Sequence, residues 1–520
     1  MKKSKIKNLL LLALLSLIAS CNNDPISTEE TSTVREKDYY LKLGKKLENP
    51  YSVKNMKRAL DSVKAKMTIS KTAKSTSDFD IETSHLYVKI EPKTKEEETL
   101  LKKDTTQILF EYPLDYEFPD EISESIGVKD TASVGTYYVS VPKDHVFPDN
   151  IKTEVLEELY IPEQDPYFDN ATETGKVSKN TISNKEDLLG NLLIEAFKLT
   201  HNEAQLELQS TGTGKSSWWI FGKRWRPNGR ITTQDNVLGP VPVEGAKVLI
   251  RQWFTVDSGI TDANGNFSTG TVRGEARYII QWERYEYSIR SGWFGQAETK
   301  SGYMKNQGWY PNIDGGVDEF YSTIHRAAFH YYYKDIKGLS RPPGNTFWKP
   351  QMKIGAFNEV NTSLNGVHTR EERFLGIFSR IDIYNPQNRT DVIYGTVIHE
   401  LAHAAHWDLS HNSFPDTDSK VKESWARGVE WELSRMVYLN YNSDFDLRPK
   451  YTLVVRDMID NDGLYGKDFI NGENVSGYTI KQIENSLRFA KSWDEWKNKI
   501  KNDYENSTEN NLDALFNYWN

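Results

Sequence analysis

The stretch Thr390–Ser410, TDVIYGTVIHELAHAAHWDLS, constrains this chain more than any other. It places His399, Glu400 and His403 in the pattern H-E-x-x-H. On a helix, positions i and i+4 lie one turn apart on one face, so both imidazoles can reach one ion, with Glu400 beside the first of them. Val392, Val397, Ile398, Leu401, Ala402 and Ala405 make the segment apolar enough to be buried. Thr390 is its expected N-cap, and Asp408, Ser410 and Asn412 mark its end. Buried imidazoles need partners. A shared Zn²⁺, with Glu400 acting on its water, is the simplest arrangement. The other is a core helix whose histidines are satisfied separately.

At 520 residues the chain exceeds one ordinary core, and two to four domains are expected. Its start reads as an address. Lys2, Lys3, Lys5 and Lys7 precede the apolar run Leu9–Ala19, which is too short to span a membrane as a mature helix. The run ends Ile18-Ala19-Ser20-Cys21, which resembles a bacterial lipoprotein lipobox. That resemblance implies lipidation of Cys21, removal of residues 1–20, and a lipid-anchored place in the bacterial envelope, with the outer membrane expected and surface exposure left open. A cleaved secretory signal with an incidental cysteine is the alternative. Cys21 is the only cysteine, so no intrachain disulfide can form. Loss of residues 1–20 removes four lysines and leaves 61 basic against 74 acidic residues, a net charge of −13. That charge argues against nucleic acid as a partner.

Residues 21–78 read as a polar tether and a helical segment, with Leu41, Leu47, Val53, Met56, Leu60 and Val63 as core positions and Lys71–Asp78 as a linker. Residues 79–162 read as a small α+β module. Its expected strands are His85–Glu91, Gln107–Tyr112 and Gly135–Val141, with a short helix at Lys95–Lys103. The module is similar to N-terminal regions of bacterial surface lipoproteins, and its isolated His85 and His145 are read as structural. Residues 163–223 form a linker, polar over Gln164–Asn184, with an amphipathic helix at Lys185–Thr200. In residues 224–302, short strands joined by Asp, Asn and Gly turns predict an antiparallel β-sandwich that includes Ala276–Trp282 and Tyr285–Arg290. The run from Val243 to Phe267 resembles the transthyretin-like, carboxypeptidase-regulatory-like β-sandwich, usually an accessory module. Asp262 and Asn264 lack the later bidentate Glu of a calcium loop.

Residues 303–520 turn mainly helical. Val317–Lys334 predicts a helix whose His325 and His330, five apart, do not share a face and are read as non-ligands. Leu375–Tyr384 reads as a strand with Ile377, Ser379, Ile381 and Ile383 on one face, and Thr479 and Ser492 open capping boxes. A catalytic zinc needs a third protein ligand. His406 lies two turns, roughly 10 Å, along the helix from His399 and is read as a rim residue. His411 is a remote option.

Glu423 follows His403 with nineteen residues between them, and the run Glu423-Ser424-Trp425-Ala426 resembles the ligand helix of gluzincin-type zinc metallopeptidases. The metzincin continuation is absent, since His406 and Leu409 stand where it needs Gly and His. The resemblance covers roughly residues 316–520. It implies a zincin-like domain with a short edge-stranded sheet, and ligands His399, His403 and Glu423. It also implies that peptide bonds are hydrolysed by zinc-activated water, with Glu400 as general base and a protein or peptide as substrate. It places the strand Leu375–Tyr384 along the cleft edge. Thermolysin-like members carry an Asp four residues after the Glu ligand, and this chain has Arg427 there. Glu430, seven after Glu423, is either a competing ligand, a partner for Arg427, or a residue that orients a ligand imidazole. Glu423 pairing with Arg427 at i+4 is the bland alternative. Tyr438 and Tyr478 are uncommitted candidates for a transition-state donor. The competing class is a catalytically silent surface lipoprotein that binds protein or glycan.

Overall fold

A computed structural model describes residues 44–69, 79–116, 135–162, 165, 179–203, 224–292, 295–345, 351–358, 366–368, 380–385, 389–441, 450–460 and 475–520. The expected signal segment, Cys21, the tether, the linker Lys71–Asp78 and the first half of the strand Leu375–Tyr384 lie outside the described residues. The architecture is mixed: an α+β N-terminal region, β-rich central sheets and a mainly helical C-terminal region.

Helix α1 (Val53–Ile69) buries Met56, Ala59, Leu60 and Val63, one stripe at helical spacing. Strand β1 (His85–Glu91), helix α2 (Lys95–Lys103), strands β2 (Tyr137–Pro142) and β3 (Lys152–Leu159) and helix α3 (Lys179–Leu199) follow. The three strands form an antiparallel sheet in the order β2-β1-β3. The expected strand Gln107–Tyr112 is absent, since only Phe110 bridges, to Tyr138. Pro113 follows at once and offers no N–H, while Phe110 and Tyr112 flank the Arg251 guanidinium at 5.2 and 5.8 Å. The true third strand, β3, is an edge strand with residues 152–156 exposed, so its sequence carries no alternation.

The central region comprises β4 (Asn228–Arg230), β5 (Thr232–Asp235), β6 (Gly239–Pro242), β7 (Lys247–Gln252), β8 (Thr255–Ile260), β9 (Asn266–Ser268) and β10 (Ala276–Gln281). Next come β11 (Tyr287–Ser291), β12 (Gly295–Gln296), β13 (Glu298–Met304) and β14 (Asn312–Ile313). An antiparallel sheet runs β13-β10-β7-β8, beside the smaller sheets β14-β5-β6 and β4-β9. The Asp262 carboxylate accepts the backbone N–H groups of Asn264 and Asn266 at 2.9 and 2.8 Å, and Gly265 takes φ +79°. That carboxylate closes a turn.

Strand β11 is not part of the antiparallel sheet, contrary to the expected sandwich. Its register pairs Tyr287–Ser291 in parallel with β15 (Met352–Phe357), reached through helix α4 (Gly316–Tyr333). A parallel pair requires such a crossover. Strands β16 (Gly366–His368) and β17 (Arg380–Tyr384) complete a five-stranded sheet in the order β12-β11-β15-β17-β16. The expectation that Leu375–Tyr384 lies on the cleft edge does not hold for its described part: Arg380–Tyr384 is paired on both sides, and among the described strands the short antiparallel β16 takes the edge.

The remaining helices are α5 (Thr390–Leu409), α6 (Ser419–Ser434), α7 (Val454–Ile459), α8 (Ile480–Leu487), α9 (Trp493–Asp503) and α10 (Leu512–Tyr518). Thr479 forms a reciprocal capping box with Gln482 at the start of α8. Ser492 accepts the Glu495 N–H at 3.2 Å, but the Glu495 carboxylate takes the N–H of Lys491 instead. One continuous core joins the central strands to the C-terminal helices: Tyr287, Ile289, Met352, Ile354, Ile381 and Ile383 meet Ile324 and Tyr331 of α4 and Val397, Ile398 and Leu401 of α5. The alternate side chains of the five-stranded sheet meet the N-terminal region, with Arg290 paired to Glu111 at 2.7 Å and Lys353 to Glu98 at 3.8 Å. None of the described helices is long and apolar enough to cross a membrane.

Candidate metal centre

Helix α5 is apolar on nearly every side, so packing rather than a solvent-facing polar stripe fixes it: it lies against α4, α6 and the five-stranded sheet. Its N-cap is Arg389, and Thr390, the expected cap, is the first helical residue. The Thr390 hydroxyl donates to the Asn236 side-chain oxygen at 2.6 Å, and the backbone N–H of Thr390 reaches the same oxygen at 3.2 Å. An orphan donor of the helix start is thus satisfied by the β5–β6 turn, 154 residues away in sequence. Nothing local in the sequence signals this partner.

The two imidazoles of the motif project towards α6. There Asp418 caps the helix by accepting the Lys420 N–H at 2.9 Å. Glu423 Oε2 stands 3.2 Å from His399 Nε2 and 3.1 Å from His403 Nε2, and the two imidazole nitrogens are 3.2 Å apart. Donors about 2.0–2.1 Å from one tetrahedral ion are separated by about 3.3 Å, so these three atoms have the spacing of three corners around a single Zn²⁺. All three residues are buried. Three donor atoms converging on one point, two of them imidazole nitrogens with little to offer each other, fit a cation better than they fit one another.

The electrostatics of the cluster are those of closely paired charges. Burial alone would lower the His399 pKa, but the carboxylates of Glu423 and Glu430 outweigh it and hold the imidazole up at about 10. Burial works to raise Glu423, yet the imidazoles of His403 and His399 hold it well below the usual carboxylate range. A divalent cation held here would take the place of a proton on His399. Glu400, beside His399, is buried and makes no contact that would make it a donor of this cluster. Burial pushes its carboxyl up, against the pull of His399 and His403.

Glu430 is placed by the structure at the other nitrogen of His399. Its Oε2 is 3.0 Å from His399 Nδ1, which fixes the tautomer that presents Nε2 to the centre. Its Oε1 accepts the Tyr441 hydroxyl at 2.7 Å. Burial would raise Glu430, and the partners His399 and Arg427 bring it below its ordinary value. Of the positions open to Glu430, the geometry shows the one at the second nitrogen of His399. Tyr441 is a participant that sequence reasoning missed, since only tertiary contact brings it to the site. Arg427 lies with its guanidinium 5.3 Å over the Tyr451 ring, and that ring stacks on His399 at 6.2 Å.

The other histidines fall away. Both ring nitrogens of His325 are hydrogen-bonded, to the Tyr287 hydroxyl at 3.0 Å and Glu244 O at 2.9 Å. His330 is held likewise by the Tyr394 hydroxyl at 2.6 Å and Asp335 O at 3.3 Å. His411 is exposed. The Tyr438 hydroxyl donates to Asp235 at 2.7 Å, and the Tyr478 hydroxyl meets no hydrogen-bond partner among the described residues.

His406, expected at the rim, is instead 1% exposed, with its ring against Phe414 at 4.9 Å and no hydrogen-bond partner on either nitrogen among the described residues. Helix α5 is packed on this side as well, with Phe414 over the ring, so no rim exists at this position. Burial, with His403 and Lys422 nearby, pushes its pKa down to about 3. A neutral, unpartnered buried imidazole is replaceable by an apolar group of similar size. His406→Leu is therefore expected to leave zinc affinity unchanged and to be neutral or stabilising by up to about 1–2 kcal/mol in denaturant unfolding. Loss of metal in that variant would contradict this reading.

Comparison with protein-family models, with curated proteins and with solved structures gives no match, and the site is defined by its own geometry: a buried His399/His403/Glu423 cluster, consistent with an H-E-x-x-H metal site, in a mainly helical C-terminal region.

Proposed function

We propose that this chain is a zinc-dependent metallopeptidase of gluzincin type, held on the bacterial envelope by a lipid on Cys21. The observation that carries the catalytic part is the convergence of His399 Nε2, His403 Nε2 and Glu423 Oε2 at 3.1–3.2 Å from one another. Two helices supply these donors, both packed into the main core, so the constellation is rigid. Zinc in such a site supplies Lewis acidity towards a carbonyl and makes water acidic near neutral pH. Glu400 is the general base: it takes the proton of the attacking water and returns it to the leaving amine. Glu430 keeps the His399 imidazole in register while the proton moves. The short edge strand β16 leaves one side unpaired among the described strands, and an extended peptide is the substrate shape that adds to such an edge.

Purified protein is expected to carry zinc and to cleave casein in a chelator-sensitive manner, with activity restored by Zn²⁺. Zinc bound without cleavage of any peptide would favour a silent, surface-binding lipoprotein. The anchoring part rests on Ile18-Ala19-Ser20-Cys21. Cys21→Ala is expected to move the protein from the detergent phase to the aqueous phase, and unchanged partitioning of that variant would refute lipid attachment at Cys21.

A further inference from the structure

Beyond the ligands and the base, one buried chain of contacts reaches the centre from outside it. Glu430 uses each carboxylate oxygen once: Oε2 at His399 Nδ1, 3.0 Å, and Oε1 for the Tyr441 hydroxyl, 2.7 Å. Tyr441 is buried, and its ring passes over the motif helix at Gly395, about one turn before His399. A Cβ at Gly395 would lie 1.9 Å from the Tyr441 hydroxyl oxygen, 2.8 Å from the Tyr441 Cζ and 3.2 Å from Glu430 Oε1. Glycine inside a helix is unfavourable by about 1 kcal/mol relative to alanine, so helix propensity gives no reason for it here. The tyrosine hydroxyl gives one.

The turn that carries Tyr441 is itself fixed. The Tyr441 N–H donates to Tyr438 O at 2.7 Å, and the Tyr438 hydroxyl donates to Asp235 Oδ2 at 2.7 Å. Asp235 is buried at the end of β5, where it also takes Arg326 at 2.8 Å and the backbone N–H groups of Val237 and Leu238 at 2.9 and 3.0 Å.

We propose that Tyr441 is a positioning residue of the metal centre: its hydroxyl, admitted over α5 by the missing side chain at Gly395, locks the Glu430 carboxylate so that Glu430 locks the imidazole of His399. A ligating imidazole turns about its Cβ–Cγ bond unless its second nitrogen is held, and a carboxylate that holds it turns as well unless its second oxygen is held. The central β-rich region contributes to the site through Asp235, which anchors the turn. This inference rests on the metal reading of the site.

The test compares wild type with Tyr441→Phe, Gly395→Ala and the double variant. Three quantities are read: zinc affinity by chelator competition, the visible spectrum of the Co²⁺-loaded protein, and the melting temperature of the zinc-free protein. Tyr441→Phe is expected to weaken zinc binding about 10-fold, within the range for outer partners of a ligand, and to shift the Co²⁺ spectrum. Gly395→Ala is expected to do the same by pushing the hydroxyl away. The double variant is expected to bind zinc no worse than the weaker single variant, because both changes break one link. A purely structural tyrosine would lower the melting temperature without touching the spectrum. Wild-type zinc affinity and spectrum in Tyr441→Phe would overturn the proposal, as would fully additive losses. Should Gly395→Ala not fold, Tyr441→Phe alone decides. If wild type itself binds no zinc, the metal reading fails, which is a different result from a wild type that binds zinc indifferently to Tyr441.

Discussion

Glu423→Ala is expected to strip the protein of zinc, with a loss of affinity well beyond the roughly 10- to 100-fold that removal of an outer partner costs. Glu423 Oε2 touches both imidazole nitrogens, so its removal takes away one of three donors and the negative charge opposite two histidines. A catalytic zinc with two protein ligands is under-coordinated. Glu430→Ala acts on the other nitrogen of one imidazole, so its expected loss is within about 10- to 100-fold and leaves zinc bound at saturating concentration. The two glutamates lie seven residues apart on α6, roughly 10 Å along its axis. Only one can enter the shell, and metal titration of the two variants ranks them. Stoichiometric zinc in Glu423→Ala together with its loss in Glu430→Ala would exchange the assignment.

Glu400→Gln is expected to keep full zinc occupancy and to lower kcat by about 100- to 10,000-fold. Glu400 is adjacent in sequence to a ligand but is not one of the three converging donors. The amide preserves size and leaves His399, His403 and Glu423 untouched, yet it cannot take a proton. Burial favours the neutral form of this side chain, so the substitution carries little penalty in stability. Zinc content by atomic absorption and peptide hydrolysis rates on one preparation separate the two effects. A variant that lost its metal would mean that Glu400 is a ligand or supports one, and the role of base would have to move elsewhere.

The centre was largely legible in the sequence because its main spacing is local. His399, Glu400 and His403 sit within five residues, and helix geometry alone brings the two imidazoles together. Glu423 was reachable only through a resemblance, since its distance from His403 and the run Glu423-Ser424-Trp425-Ala426 are similar to gluzincin-type metallopeptidases. What supports these residues was not legible, since it comes from elsewhere in the chain. Tyr441 gains its meaning only from Gly395 and Glu430, and Asn236 meets Thr390 across 154 residues. His406 was misplaced because periodicity reports one buried face, whereas α5 is enclosed by α4, α6 and the sheet.

The same holds for the fold. The strands with alternating or continuous apolar runs, such as His85–Glu91 and the expected Ala276–Trp282, were visible as strands. Strand β3 was not, because its exposed edge position removes the pattern. Strand β11 was visible, but its sheet was not: the alternation of Tyr287 and Ile289 about Ser288 suits either the antiparallel sheet or a parallel one, and only the α4 crossover to β15 decides. The consequence is functional. The five-stranded sheet behind the motif helix begins upstream of residue 303, and the central strands share their core with α4, α5 and α6.

The most direct test of the account is diffraction from crystals of the zinc-loaded protein on either side of the zinc absorption edge. The account predicts one anomalous peak, within coordination distance of His399 Nε2, His403 Nε2 and a Glu423 carboxylate oxygen, with Glu430 outside that shell at His399 Nδ1. A peak coordinated by Glu430 in place of Glu423, or none at the H-E-x-x-H helix, would contradict it.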